Sequence, residues 1–143
     1  MTLYKWDEME YSKFSSKRLK RKMIAGDHMV VQLILNQAES GDMQCTYPAH
    51  SHPEEQILIN LKREKRIRVG NDWFNMEPGD VLVIPANTEH EGVSQSDNLY
   101  LDITNRIPGY NWHERTWVPG AQEDWKRVKS ILEELDRKYT IQY

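Results

Sequence analysis

The chain lacks the long apolar run that a membrane-spanning helix needs, about 20 residues, and that excludes a helical membrane protein. It has one cysteine, Cys45, too few for an internal disulfide. A disulfide-stapled secreted scaffold is therefore excluded, and a reducing compartment is expected. No base stands beside Cys45 in the sequence, so a packed side chain is expected there rather than a catalytic thiol. No one sign of charge dominates: 19 Lys and Arg against 22 Asp and Glu leave a formal net charge of -3. Nothing in that balance selects nucleic acid or an anionic membrane as a partner. Residues 1–11 are polar and acidic, without the apolar core of a signal peptide, and a cytoplasmic location is expected. Internal repeats and low-complexity stretches are missing too.

What is present suits one globular domain. The chain is 143 residues long, with 38% hydrophobic and 29% charged residues. Residues 1–27 read as a polar lead-in. Its basic run, Lys17, Arg18, Lys20, Arg21 and Lys22, is expected on a solvated face or an edge strand. Residues 28–106 read as strands. Residues 28–37 are rich in Val, Ile and Leu, and 56–61 and 65–69 flank a short polar turn. Gly70-Asn71 is a turn before Trp73 and Phe74, and Pro78-Gly79-Asp80 a turn before the apolar run 81–84. Residues 98–103 are a further strand. Many short strands between frequent turns predict a sandwich or barrel. Residues 107–143 differ: an aromatic loop, then a predicted helix over 123–139. There Trp125, Val128, Ile131, Leu132, Leu135 and Tyr139 form an apolar stripe.

The segment that carries chemistry is His50-Ser51-His52-Pro53-Glu54-Glu55-Gln56. Alternation in a strand puts His50 and His52 on one face, where two imidazoles reach one metal ion. A second segment, from Gly79 to His90, runs turn, buried strand, turn, and delivers His90 from a separate strand. Imidazole suits Zn, Cu, Fe and Ni. The carboxamide oxygen of Gln56 adds a harder, neutral ligand, and a site of this kind keeps positions open for water or substrate. By alternation Glu55 faces away from Gln56. His28 and His113 lie outside both segments and are expected to be surface or packing residues.

These residues resemble the two motifs of the cupin superfamily. The first motif is met by His50-x-His52-x3-Gln56 and the second by Gly79-x5-Pro85-x-Asn87-x2-His90. The form His-x-His-Pro-x-Glu-Gln looks like a subgroup of small single-domain cupins in which Gln replaces the acidic ligand. The resemblance implies an all-β fold, the double-stranded β-helix or jelly-roll barrel, here followed by a C-terminal α-helix. It implies one divalent transition metal ion (Zn, Fe, Ni or Mn) on His50, His52, Gln56 and His90. Four motif positions depart from the family pattern. Gln44 and Arg63 stand where the first motif has Gly, Asn87 where the second has its middle Gly, and Ser94 where it ends in Asn. Asn tolerates left-handed backbone, so Asn87 is expected to make the turn.

After His90, alternation puts Tyr100, Asp102 and Thr104 on one face and Leu99, Leu101 and Ile103 on the other. If the polar face looks inward, Asp102 is placed as acid or base near the metal. Arg106 is placed to hold a substrate carboxylate or to form a salt bridge with Asp102 at the barrel rim. This Asp-then-Arg order is similar to that of cupins that open the ring of unsaturated uronates, which implies catalytic roles for Asp102 and Arg106. The expected function is metal-dependent lyase, isomerase or ring-opening chemistry on a small oxygenated acid or sugar-derived substrate. The metal acts as Lewis acid, and Asp102 or Tyr100 moves a proton. The alternatives are an iron or nickel dioxygenase and a non-catalytic small-molecule-binding barrel. If Gln56 faces the metal, so do Leu58 and Asn60. Ile57, Ile59 and Leu61 then make an apolar outer face, to be covered by the C-terminal helix or by a second subunit; small cupins commonly form dimers, so the resemblance implies a homodimer.

Overall fold

Short stretches of alternating burial, cut by turns, build the molecule as a set of strands. This computed structural model describes residues 1–13, 18–37, 44–106 and positions 126, 127, 130, 131, 133, 134 and 137. The strands are β1 (Ser12–Lys13), β2 (Leu19–Ala25), β3 (Met29–Asn36), β4 (Gln44–His50), β5 (Gln56–Lys62), β6 (Lys65–Val69), β7 (Asp72–Met76), β8 (Val81–Ile84), β9 (His90–Ser94) and β10 (Asn98–Asn105). One sheet has the order β1-β2-β3-β10-β5-β8 and the other β4-β9-β6-β7. Every ladder is antiparallel. Two antiparallel sheets closing on one interior is the jelly-roll solution to burying one face of each strand, and the all-β expectation holds.

Burial follows the period of two. On β5, Gln56, Leu58 and Asn60 are buried, and on β10 Asn98, Tyr100 and Asp102 are buried. The register places them in layers: Thr104 opposite Gln56, Asp102 opposite Leu58, Tyr100 opposite Asn60. The apolar core is Leu19, Ile34, Leu58, Ile67, Met76, Ile84 and Tyr100. Burying side chains of this size contributes roughly 1.5–3 kcal/mol each. The opposite face of the larger sheet is apolar as well, with Val81 60% and Val83 53% exposed.

The expected lead-in is not separate from the barrel, because β1 and β2 lie within it. Pairing of β2 with β3 runs from Leu19 opposite Asn36 to Ala25 opposite Val30. The alternation that sends Leu19 into the core sends Arg21 inward with it. Arg21 is buried and donates from Nη1 to Gln32 Oε1 at 3.0 Å. Arg18 is fully buried. The basic run is thus in part an inner wall, not a solvated face. At the other end, all described positions between 126 and 137 are helical; Ile131 is half-buried and the other six are exposed. The remaining stripe residues, the aromatic loop with His113, and the Cys45 side chain lie outside the described residues.

Two departures from the motif glycines are resolved by local geometry. Arg63, at φ 63°, and Asn87, at φ 58°, both adopt left-handed backbone. Around Arg63 the carbonyl is bound by Asn60 Nδ2 at 2.6 Å and Asn98 Nδ2 at 3.2 Å. Asn98 Nδ2 also donates to Asn60 Oδ1 at 2.8 Å. This buried amide pair over-determines the turn and holds a β-carbon where it is unfavourable by roughly 1–2 kcal/mol. Arg63→Gly is therefore expected to stabilise the protein by about 0.5–1 kcal/mol, and Asn98→Ala to destabilise it by about 1–3 kcal/mol. Urea unfolding midpoints read both, and a destabilised Arg63→Gly would contradict the strain.

Candidate metal centre

The centre sits at one end of the barrel interior. His50 ends β4 and pairs directly with His90, which opens β9. Their ring centroids are 4.2 Å apart. His52 follows in the loop after β4, so its inward direction does not come from strand alternation. Two contacts set it instead. Asn87 N–H donates to the His52 carbonyl at 2.8 Å, tying the second motif's turn to the first motif. The ring itself is fastened by its Nδ1, 3.0 Å from the Glu54 carbonyl and 3.3 Å from Glu54 Oε2. His52 stands 4.9 Å from the His90 ring and 5.5 Å from the His50 ring.

All three Nδ1 atoms meet backbone carbonyls: His50 at Pro48 O, 2.8 Å, His90 at Thr88 O, 2.8 Å, and His52 at Glu54 O. A carbonyl oxygen only accepts, so each Nδ1 carries the proton, and in a neutral ring Nε2 then bears a lone pair. The potential ligand atoms of the three rings lie within 4.8 Å of one another. Gln56 Oε1 stands 3.1 Å from His52 Nε2. Two lone pairs at that distance repel unless a cation lies against both. Ligand bonds of about 2.1 Å meeting near a right angle give roughly this separation. The residues therefore fit a divalent ion: three imidazoles, locked in tautomer and direction as ligand histidines are, and one carboxamide oxygen. Glu55, the neighbouring carboxylate, is exposed and faces away.

Below this end the barrel encloses a cavity of about 70 Å³, walled among others by Tyr47, Gln56, Lys65, Tyr100 and Asp102. That is room for a small organic molecule, since one water needs about 10–15 Å³ measured this way. Asp102 is buried, as the inward polar face of β10 requires. Burial, with Asp102 and then Tyr47 adding to it, holds the Tyr100 phenol well above its usual range. Tyr100 thus keeps its proton near neutral pH and can donate a hydrogen bond. Arg106 is placed elsewhere: its side chain is exposed at the rim and Nη1 donates to the Gly26 carbonyl at 2.7 Å. His28 is exposed, as expected.

Sequence reasoning missed Lys65 and Glu54. Lys65 is 4% exposed, and its Nζ lies 3.2 Å from the centroid of the Tyr100 ring. Alternation with Ile67 and Val69 already put it on the inner face of β6. The basic character of the segment, Lys65, Arg66 and Arg68, concealed this, although Arg66 and Arg68 do point outward. Glu54 hid behind Pro53, where regular alternation ends; its buried carboxylate faces His52.

Residues 42–103 match the family model of the Cupin domain. Solved structures share the fold. KdgF from Halomonas sp. superposes with TM-score 0.65 and 19% identity over 76% of this chain and 96% of that one. An RmlC-like cupin from Shewanella frigidimarina gives 0.65 and 16% over 76% and 94%. TT1209 from Thermus thermophilus gives 0.56 and 22% over 76% and 100%. Comparison with curated protein sequences gives no match.

Burial lowers the Lys65 amine from 10.5 to about 7, only partly opposed by Asp102. At about 1.4 kcal/mol per unit, this opposes folding by several kcal/mol. Below about pH 7 the folded and unfolded chains both carry the proton and the full cost is felt. Between about 7 and 10.5 the folded chain sheds the proton first, so stability rises with pH across that window. Lys65→Met is therefore expected to raise the urea midpoint at pH 6, with the gain shrinking by pH 9. A gain equal at both pH values would mean that Lys65 is not desolvated.

Proposed function

We propose that this protein is a metal-dependent enzyme acting on a small oxygenated acid or sugar-derived substrate, with His50, His52, His90 and Gln56 holding a divalent metal ion. The observation that supports it most is the convergence of three histidine rings whose Nδ1 atoms are all committed to carbonyls. When bound, the ion supplies Lewis acidity for lyase, isomerase or ring-opening chemistry on a substrate oxygen. The chain's own residues do the rest. The ligand set is neutral, so it leaves the positive charge of the centre available to the substrate. Asp102, on the cavity wall one layer below Gln56, is the base that takes a substrate proton. The Tyr100 hydroxyl, held protonated, donates a hydrogen bond, and the apolar walls at Ile34, Leu58 and Ile67 limit water. Glu54 and the three carbonyls orient the rings. The apolar outer row of Ile57, Ile59, Val81 and Val83 supports the homodimer reading, and static light scattering at the monomer mass would remove it.

Elemental analysis of protein purified without a metal-affinity tag tests the centre. Near-stoichiometric metal is expected in the wild type and none in the His50→Ala, His90→Ala double variant. Zinc, nickel or manganese agrees with Lewis-acid chemistry, iron turns the reading towards a dioxygenase, and failure to bind any metal on reconstitution defeats it. Glu54→Gln is expected to weaken metal affinity about 10- to 100-fold, the usual effect of losing a ligand-orienting group, as measured by competition with a chelator. Asp102→Asn is expected to keep the metal and lose about 10²- to 10⁴-fold in turnover; a variant that keeps full turnover would remove Asp102 from the mechanism.

A further inference from the structure

Lys65 has no part in the reading above, yet burying its amine is costly. Its root lies far from the histidines. Val69 pairs with His90 across β6 and β9, and Lys65 stands four residues back along β6, roughly 13 Å at about 3.3 Å per residue. From there the amine rests on the face of Tyr100 and borders the same cavity as the three histidines. By register, Asp102 lies between the Tyr100 layer and the Gln56 layer.

The charge balance of this interior is informative. Arg18, Arg21 and Lys65 are buried basic residues, and Asp102 and Glu54 are buried carboxylates. The two guanidinium groups offset the two carboxylates even where the Lys65 amine is neutral. The ligand set contributes no negative charge, so a divalent ion leaves the cavity net positive. A low-dielectric cavity with a surplus of positive charge favours an anion strongly. Neither arginine lines the cavity, and Arg21 is already engaged by Gln32 Oε1. The Lys65 amine is the one that borders the cavity, supported from beneath by an aromatic ring rather than by a carboxylate at ion-pair distance among the described residues.

We propose that Lys65 anchors the carboxylate of a small acid whose other end is presented to the three-histidine centre, so that the cavity selects acids over their neutral amides. This rests on the metal-centre reading for the far end of the ligand, and it specifies the substrate class of that same site. Arg106, the carboxylate partner expected from sequence, stays at the rim on Gly26, and Lys65 takes that role from within. The groups facing the amine are Asp102 and Tyr100 from β10; Arg21 on β2 acts on Asp102, and Tyr47 on β4 acts on Tyr100. A bound carboxylate adds a negative charge to this set, and the amine, near neutrality in the empty cavity, takes up a proton from the buffer as the acid binds.

The probes are levulinate, a keto acid, and its neutral amide levulinamide, titrated calorimetrically into the zinc-loaded wild type and into Lys65→Met. Metal content is measured on the same samples. The wild type is expected to prefer the acid by roughly 10- to 100-fold, the worth of one charge-assisted hydrogen bond. Lys65→Met is expected to keep its zinc and lose the preference. Comparing buffers of different ionisation enthalpy at pH 8, acid binding to the wild type takes up a fraction of a proton, and amide binding takes up none. No preference in the wild type, a preference that survives in Lys65→Met, or acid binding without proton uptake each overturns the anchor. The wild-type measurement stands even if the variant fails to fold. A wild type that loads no zinc defeats the metal-centre reading instead, and the acid-to-amide ratio still decides on Lys65.

Discussion

Hydrogen bonds from the Nδ1 atoms of His50, His52 and His90 to the carbonyls of Pro48, Glu54 and Thr88 set each ring's tautomer and direction together. A histidine free to rotate presents either nitrogen, and three such rings would rarely point at one place. With Nδ1 occupied, the only lone pair each neutral ring has to offer is on Nε2. The carbonyls are available because two of them belong to strand ends or turns, where backbone groups are not consumed by a ladder. The bond from Asn87 N–H to His52 O adds the link between the two motif segments, which no strand pairing makes at that point.

The barrel interior beneath the centre is unusual in carrying charge where a domain of this size would ordinarily store apolar contacts. Lys65 and Arg21 are buried, as are Asp102 and Glu54. Each is unfavourable to desolvate. Among the described residues the core that offsets them is short, seven buried residues in one cluster. Tyr100 links the two demands: its ring is part of that core and is also the face on which the Lys65 ammonium rests. A side chain that opposes folding and borders the cavity it shares with the histidines is placed by function more than by stability.

The motif departures show how a pattern of residue types is a pattern of backbone conformations. Arg63 and Asn87 occupy left-handed backbone where the family pattern has glycine. Asn87 does so with a side chain that tolerates it. Arg63 does so because two buried asparagines from β5 and β10 hold its carbonyl. The conformation is kept, and its source moves from the residue's own freedom to its surroundings.

Local alternation made most strands readable: β8 runs Val81–Ile84 as expected, and β3, β5, β6 and β10 lie within two residues of their expected bounds. The same alternation named the inward set on β5 and β10, and the spacing of His50, His52, Gln56 and His90 named the residues that gather at the centre. The strand β2 was not readable, because a run of Lys and Arg gives no apolar alternation, and only pairing with β3 decides that Arg21 turns inward. Lys65 and Glu54 were missed for the related reason that charge in a sequence signals solvent. Arg106 was read towards the site and lies at the rim, since one residue of register and a nearby carbonyl decide where a long side chain ends. The sequence by itself determined which atoms can donate, accept or bind a metal, and which face of each strand they share, because those depend on residue type and a period of two. Which faces meet and how deep each charge lies were decided only by the closed barrel, because they depend on contacts between strands far apart in the chain; which nitrogen of each ring is left over was decided by the folded backbone beside it, each carbonyl lying two residues from its histidine.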